Sequence, residues 1–223
     1  MINILLVDDH DLVRSGIRHL LEETPGIRVI DEVSNGEKAI VAVKQKHPDV
    51  IIMDLNMPGI GGFETTRRLL SVDGTIKIVV LTVYKEEPYP TRLLRAGALG
   101  YLTKGCSVEE MVNAVRTVYF GRRYISAEVA QNMALEHVES GTRSPFDELS
   151  HREIQIMVMV ANGLKVSEIS DQLCLSPKTV NTYRYRLFDK LKIKNNVELT
   201  HLVARYNFVD ISVPRRPMPV IQH

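Results

Sequence analysis

Five short apolar runs, each followed by a longer amphipathic stretch, constrain what the first 120 residues can become. The runs are Ile4–Val7, Ile27–Ile30, Val50–Met53, Ile78–Leu81 and Gly100–Leu102. Four are rich in Val, Ile or Leu without polar alternation, as strands buried on both faces are. The fifth carries little signal by itself. Between the runs, apolar residues recur at helical spacing. Val13, Ile17, Leu20 and Leu21 share one face; Ala39 and Val43 share another that turns polar at Lys46; Met111, Val112, Val115 and Tyr119 form a third. A fivefold β-α alternation implies an α/β unit, a doubly wound five-stranded parallel sheet with helices on both faces. Such sheets take their ligands in the crevice outside the carboxyl ends of the strands.

The alternation ends near Tyr119. Residues 121–148 hold Gly121, Gly141, Ser144 and Pro145, with one short helical pattern around Ala127–Val138, and read as a linker with partial helix. Residues 149–209 show four short helical patterns, at about 150–162, 166–173, 177–191 and 196–206, and read as a small all-α domain. The last stretch, 210–223, has three prolines in VPRRPMPVIQH and reads as a disordered tail. No apolar run approaches the roughly 20 residues of a membrane helix. The N-terminus lacks the basic start and small-residue cleavage site of a secretory signal. Cys106 and Cys174 lack metal-ligand spacing and are expected as buried thiols rather than a disulfide. Together these place the chain in the cytoplasm with no membrane partner.

Asp8 and Asp9 end the first predicted strand and Asp54 ends the third. In a doubly wound sheet these strands are neighbours, so three carboxylates converge at one edge. Carboxylates so clustered repel one another and call for a cation. A magnesium ion (Mg2+) suits the site, since it takes oxygen ligands and keeps several waters. Asp8 and Asp9 could instead cap the helix that starts near Asp11, which accounts for one aspartate but not for the pair together with Asp54. Thr82 ends the fourth strand and Lys104 follows the fifth. A carboxylate nucleophile beside magnesium, a hydroxyl and an ammonium is an arrangement that accepts a phosphoryl group.

The segments LLVDDH, IIMDLNMPGIGGFE, VVLTVY and GYLTKG resemble, in order and spacing, the signature segments of the flavodoxin-like receiver domain of two-component response regulators, over residues 1–120. The resemblance implies Asp54 as phosphoacceptor, and magnesium held by Asp8, Asp9, Asp54 and the backbone carbonyl of Asn56. It implies Thr82 and Tyr101 as a switch pair and Lys104 as the phosphate-contacting lysine. Tyr101 has a plainer reading as an aromatic packed on the last strand. Pro58, Gly59, Gly61 and Gly62 leave the loop after Asp54 tight and free of bulk, which suits both a strand-to-helix turn and the approach of a partner.

Net charge is +1, but residues 177–194 carry six basic residues against Asp189 alone. A local basic stretch in a near-neutral chain points to a confined phosphate contact. The segment SEISDQLCLSPKTVNTYRYRLFDKL has a helix-turn-helix layout. Ser176 stands as N-cap, Pro177 occupies the first helical position, and Val180, Leu187 and Leu191 face inward. Lys178, Asn181, Thr182, Arg184 and Tyr185 form the polar face, with Asn181, Thr182 and Tyr185 the base-facing candidates. The other reading is a solvated basic face on an ordinary bundle. Residues from Leu149 to Leu199 resemble the four-helix DNA-binding domain of the LuxR/NarL/FixJ type, with Glu153, Gly163, Ile169, Thr179, Val180, Lys190 and Leu191 at family positions. The resemblance adds Thr179 and Lys190 to the DNA-binding set, and the basic stretch adds Arg186. Asn181 and Tyr183 depart from the lysine and histidine common there.

Over its whole length the chain resembles the GacA/UvrY/LetA group of global regulators. That implies a phosphorylation-dependent transcriptional regulator rather than an enzyme, catalysing only its own phosphotransfer and dephosphorylation. It implies a sensor histidine kinase or its phosphotransfer domain as donor, and promoters of small regulatory RNAs as targets. A homodimer formed on phosphorylation would read inverted half-sites in double-stranded DNA, and the unphosphorylated receiver would cover or misplace the recognition helix. The apolar side of the last helix, with Val197, Leu202, Val203 and Tyr206, suits a dimer contact and core packing equally. Two rivals stand beside this reading. A phosphatase of related fold would use the same nucleophile and metal, but the acid/base it needs two residues on is Asn56 here. A C-terminal bundle binding protein or RNA would lack a steep salt dependence on duplex DNA.

Overall fold

The computed structural model describes residues 1–84, 89–139, 145–146 and 148–205. The predicted tail 210–223, with Tyr206 before it, lies outside the described residues. The strands are β1 (Ile2–Val7), β2 (Ile27–Val33), β3 (Val50–Met53), β4 (Ile78–Thr82), β5 (Gly100–Thr103) and β6 (Tyr124–Ile125). They form one sheet in the order β2-β1-β3-β4-β5-β6, with every pair parallel. The expected five strands are thus six among the described residues. β6 is two residues long, too short to show a period, and it carries the sheet into the stretch read as linker. The amides of Tyr124 and Ser126 donate to Leu99 and Tyr101.

Strand residues alternate between two apolar layers, because successive side chains leave a strand on opposite faces. Ile4, Leu6, Ile52, Val79, Leu81 and Leu102 pack with Ile17 and Leu21 of α1 (Asp11–Glu22) and Met111, Val115 and Val118 of α5 (Val108–Tyr119). Leu5, Val7, Ile51, Met53, Ile78 and Val80 pack on the other face. Their partners include Ala39 and Ala42 of α2 (Gly36–Lys46), Leu69 of α3 (Gly61–Val72) and Leu93 of α4 (Tyr89–Ala96). Each such aliphatic side chain contributes about 2 kcal/mol by leaving water. Leu20, expected on the inner face of α1, is 37% exposed at its edge.

The second apolar layer continues through Val129 of α6 (Ala127–Glu139) and through Phe146, Leu149 and Ile156 into the C-terminal helices. These are α7 (His151–Ala161), α8 (Val166–Leu173), α9 (Pro177–Leu191) and α10 (Asn196–Arg205). Their core joins Ile154, Met157 and Val160 to Ile169, Leu173, Val180, Leu187, Leu199 and Val203. Leu199 and Val203 are therefore core residues, whereas Val197 is 65% exposed. Caps set the helix starts. Ser176 Oγ accepts from Thr179 N at 3.1 Å, with Pro177 in the first turn, and Ser150 and Glu153 form a reciprocal capping box on α7. Neither cysteine forms a disulfide. Cys106 is half-buried, and Cys174, expected inside, is exposed, because it ends α8 in a left-handed conformation at φ +51°.

Candidate phosphoacceptor site and nucleic-acid interface

The sheet's own ladder assembles the acidic site. Asp54 N donates to Val7 O at 2.8 Å, Asp8 N to Val33 O at 3.1 Å, and Lys104 N to Thr82 O at 2.8 Å. These bonds tie β3 to β1, β1 to β2 and β5 to β4, and the β3–β4 ladder brings the two pairs side by side. Asp8, Asp54 and Thr82 are buried there, at 4%, 2% and 0% exposure. Gly62, in the first turn of α3, lies directly against this edge; a β-carbon on it would stand 1.8 Å from the Asp54 carbonyl oxygen. Lys104 Nζ lies 2.7 Å from Asp8 Oδ2 and 2.9 Å from Asp54 Oδ2. Burial pushes the Asp54 carboxyl above the ordinary carboxylate range, against the pull of Lys104. Burial also works against charge on Lys104, but its bonds to Asp8 and Asp54 outweigh this and hold the ammonium above the ordinary lysine range.

One ammonium shared by two carboxylates, with Asp9 beside them, leaves negative charge uncompensated. Ligand atoms of Asp8, Asp9, His10 and Asp54 lie within 4.8 Å of one another, and Asp54 Oδ1 is buried without a hydrogen-bond partner. A carboxylate oxygen removed from water in this way demands a cation or a donor. The residues therefore fit a small oxygen-seeking dication. The capping alternative for the aspartates does not hold. The N-cap of α1 is His10, with no side-chain capping bond, and Asp8 Oδ1 accepts from His10 N at 2.8 Å. His10 and Arg14, whose guanidinium donates to the Asp8 carbonyl at 2.7 Å, were not singled out by sequence, though His10 adjoins the aspartate pair.

Tyr101 is completely buried and its hydroxyl donates to Tyr84 O at 2.7 Å. Tyr84 N donates to Thr82 Oγ1 at 3.4 Å, and its ring stacks on Tyr89 with centroids 4.6 Å apart. Thr82 and Tyr101 are thus joined through one residue that the sequence did not mark.

The eight α9 candidates divide in two. Lys178, Thr182, Tyr185 and Arg186 lie along one exposed face, Tyr185 at 75%. The other four are engaged internally. Thr179 Oγ1 lies 2.8 Å from Ser176 Oγ, and Asn181 Oδ1 accepts from Arg184 at 3.1 Å. Arg184 also reaches Asn196 Oδ1 at 3.1 Å. Lys190 donates to Glu153 Oε2 at 2.7 Å and to Glu148 O at 3.1 Å.

Two arginines join the halves. Arg152 on α7 donates to the Gly59 carbonyl, in the loop after Asp54. Arg92 on α4 donates to the Leu149 carbonyl and, at 2.6 Å, to that of Phe146. Carbonyl acceptors leave no trace in a sequence, and neither contact was foreseen. The receiver half grips α7, and the outer face of α9 stays open.

Residues 4–116 match the response regulator receiver domain, and residues 147–203 match the bacterial regulatory proteins of the luxR family. Response regulator GacA of Pseudomonas aeruginosa is 54% identical over 94% of this chain and 99% of its own. Response regulator UvrY of Escherichia coli K12 is 54% identical over 92% of this chain and 95% of its own. The crystal structure of a LuxR-family two-component response regulator from Aurantimonas sp. is 38% identical with a TM-score of 0.60, covering 62% of this chain and 99% of that one. The chain belongs to the response regulator family of two-component systems, a receiver domain joined to a luxR-type DNA-binding domain that regulates transcription in response to phosphorylation.

Proposed function

We propose that Asp54 is the phosphoacceptor and that its phosphorylation, by a histidine kinase or a phosphotransfer domain, is relayed to α9 through the contacts between the halves. The observation that carries this is the state of the Asp54 carboxylate. Oδ2 is held by Lys104 at 2.9 Å, while Oδ1 is buried and unpartnered beside Asp8 and Asp9. One oxygen is oriented and the other is poised for a new bond. Asp8, Asp9, Asp54 and the Asn56 carbonyl would hold magnesium, which supplies positive charge to phosphoryl oxygens when bound. An Asp54 oxygen attacks the donor's phosphorus and the donor nitrogen leaves. Lys104 then exchanges a carboxylate for a phosphoryl oxygen. The Thr82 hydroxyl turns to another, giving up the Tyr84 amide and freeing the Tyr84–Tyr101 link to shift. Catalysis is confined to the protein's own phosphotransfer and dephosphorylation.

On the output side, the exposed Lys178 and Arg186 would meet phosphates, and Thr182 and Tyr185 base edges. Asn181 and Arg184 would first exchange their internal partners. Release of Arg152 from Gly59 would let the C-terminal domain reorient and two copies pair. Their recognition helices would then sit about 34 Å apart on inverted half-sites. The expected setting is the cytoplasm; among the described residues no helix is long and apolar enough to cross a membrane.

The test is DNA binding and intact mass of wild type and Asp54→Ala, each with and without acetyl phosphate and magnesium. Wild type is expected to gain one phosphoryl group and tighter binding, and Asp54→Ala neither. A response by Asp54→Ala would remove Asp54 from the role. Phosphorylation without a change in DNA binding would break the relay.

A further inference from the structure

We infer that His10 makes the acidic site a binding site for borderline divalent cations of the zinc, cobalt and nickel type, with its imidazole as a fourth donor beside Asp8, Asp9 and Asp54. The inference rests on the reading of this crevice as a cation site and extends it to a class of ion that magnesium chemistry does not cover. Magnesium takes oxygen ligands almost exclusively, whereas imidazole suits zinc, nickel and copper. An accessible ring nitrogen beside three carboxylates therefore changes which ions the site prefers.

The geometry supports coordination to one ion. His10 Nδ1 lies 2.9 Å from Asp9 Oδ1 and 3.4 Å from Asp8 Oδ1. With metal–ligand bonds of about 2.1 Å, neighbouring donors stand about 3.0 Å apart in an octahedron and about 3.4 Å apart in a tetrahedron. The first separation matches an octahedral edge and the second exceeds it by about 0.4 Å, so an ion could enter with donor movements of a few tenths of an ångström. Asp54, 2% exposed, adds an oxygen that nothing else satisfies.

Hydrogen bonds also fix the backbone from which the ring projects. His10 N is fixed by Asp8 Oδ1 at 2.8 Å, and the Asp8 carbonyl by Arg14. His10 is the N-cap of α1, yet its side chain makes no capping bond, so ligation would cost the helix nothing. Its side chain is 58% exposed, which gives an ion a way in. Lys104 holds the opposite oxygens, Asp8 Oδ2 and Asp54 Oδ2, so the metal side and the lysine side of the crevice are separate. A plain ion pair between protonated His10 and the two aspartates would give the same distances, and it is what the experiment must distinguish.

Cobalt(II) and magnesium would be titrated separately by calorimetry into full-length wild type, His10→Ala and Asp54→Asn. The cobalt visible spectrum serves as a second readout, because it reports nitrogen ligation. Cobalt affinity is expected to fall at least tenfold in both variants, with loss of the nitrogen signature in His10→Ala. Magnesium affinity should change less than twofold in His10→Ala. Unchanged cobalt affinity and spectrum in His10→Ala would overturn the inference. So would a loss in His10→Ala that Asp54→Asn does not share, since the ion would then sit on His10 outside the Asp54 crevice. An equal loss of both metals in His10→Ala would likewise overturn it, because the residue would then have no selectivity. Phosphorylation of wild type by acetyl phosphate with magnesium is measured separately. Its failure would count against the phosphoacceptor reading and leave the cobalt result standing.

Discussion

The crevice around Asp54 and the outer face of α9 are both polar surfaces proposed to meet phosphate, yet they are built on opposite principles. In the crevice, Asp8, Asp54 and Thr82 are nearly or fully buried and Lys104 is bound to both carboxylates. On α9, Lys178, Thr182, Tyr185 and Arg186 are exposed, and among their side chains only Thr182 has an internal bond, to the Lys178 carbonyl at 2.9 Å. A buried polar group must find its partner within the fold, so its chemistry is fixed before any ligand arrives. An exposed one is left for the partner to complete. Substitutions in the crevice should therefore disturb the fold as well as function, and those on α9 function alone.

The largest departure is expected at Lys104. Lys104→Met leaves Asp8 and Asp54 facing each other without a counter-ion. The variant should lose about 2 kcal/mol of stability in chelator, below the range for fully buried pairs because Lys104 is partly open. Magnesium should restore much of the loss, as it supplies the missing charge. Denaturant unfolding with and without magnesium checks this; an unaltered midpoint in chelator would show that the crevice is not held by its ion pairs.

Glu153 carries the same logic into the C-terminal domain. Its carboxylate accepts from Lys190 at 2.7 Å and from Ser150 N at 2.6 Å. Burial works against its charge, but these bonds outweigh it, and the carboxyl sits below the ordinary glutamate value of 4.5. A depressed folded pKa gives stability that is present above the unfolded value and lost as pH falls through the folded one. Glu153→Gln should thus cost about 1–2 kcal/mol near pH 7, the worth of a charge-assisted hydrogen bond, and progressively less below pH 4.5. A cost independent of pH would assign the effect to packing. Lys190, though basic and near the recognition face, should behave as a stability residue for the same reason.

On α9 the comparison predicts a clean separation. Tyr185→Ala should leave stability within about 0.5 kcal/mol of wild type, as exposed substitutions do. It should weaken DNA binding by about 1–3 kcal/mol and relax sequence preference, whereas Lys178→Ala should weaken all sequences alike and lower the salt slope by about 1. Binding-site selection and salt titrations read both. A drop in the unfolding midpoint of Tyr185→Ala would erase the distinction between the two surfaces.

What the sequence disclosed follows the same division. Asp8, Asp54, Thr82 and Lys104 were legible because parallel strands of fixed order bring their carboxyl ends together, so position along the chain became position in space. The inward face of α9, Val180 and Leu187, was legible from its period. Arg184 was legible as part of the polar face and Lys190 by resemblance, but their bonds to Asn196 and Glu153, 12 and 37 residues away, lie beyond any local pattern. The sixth strand escaped because two residues cannot show alternation. The junction of the halves escaped because it runs from guanidinium groups to backbone carbonyls, which every residue possesses.

That junction yields the smallest expected effect and the one that links the two surfaces. Gly59 lies in the loop that follows Asp54, at φ +75°, and Glu37 Oε1 accepts from Ile60 N at 3.1 Å in the same loop. Arg152 reaches the Gly59 carbonyl while also bonding Gln155 Oε1 at 2.8 Å, so a shift in the loop after Asp54 bears directly on α7. Burial draws the Arg152 guanidinium below its ordinary pKa, opposed in part by Tyr183 and Cys174 of the C-terminal domain and by Glu37 of the receiver. Because the outer face of α9 is already open, the proposed restraint would act on orientation rather than by covering the helix. Arg152→Ala should therefore raise DNA affinity of the unphosphorylated protein by about tenfold or less, a coupling of about 1 kcal/mol, and leave the phosphorylated protein nearly unchanged. Equal gains in both forms would mean that Arg152 opposes DNA directly. No gain in either would mean that phosphorylation reaches α9 by a route other than the Gly59 loop.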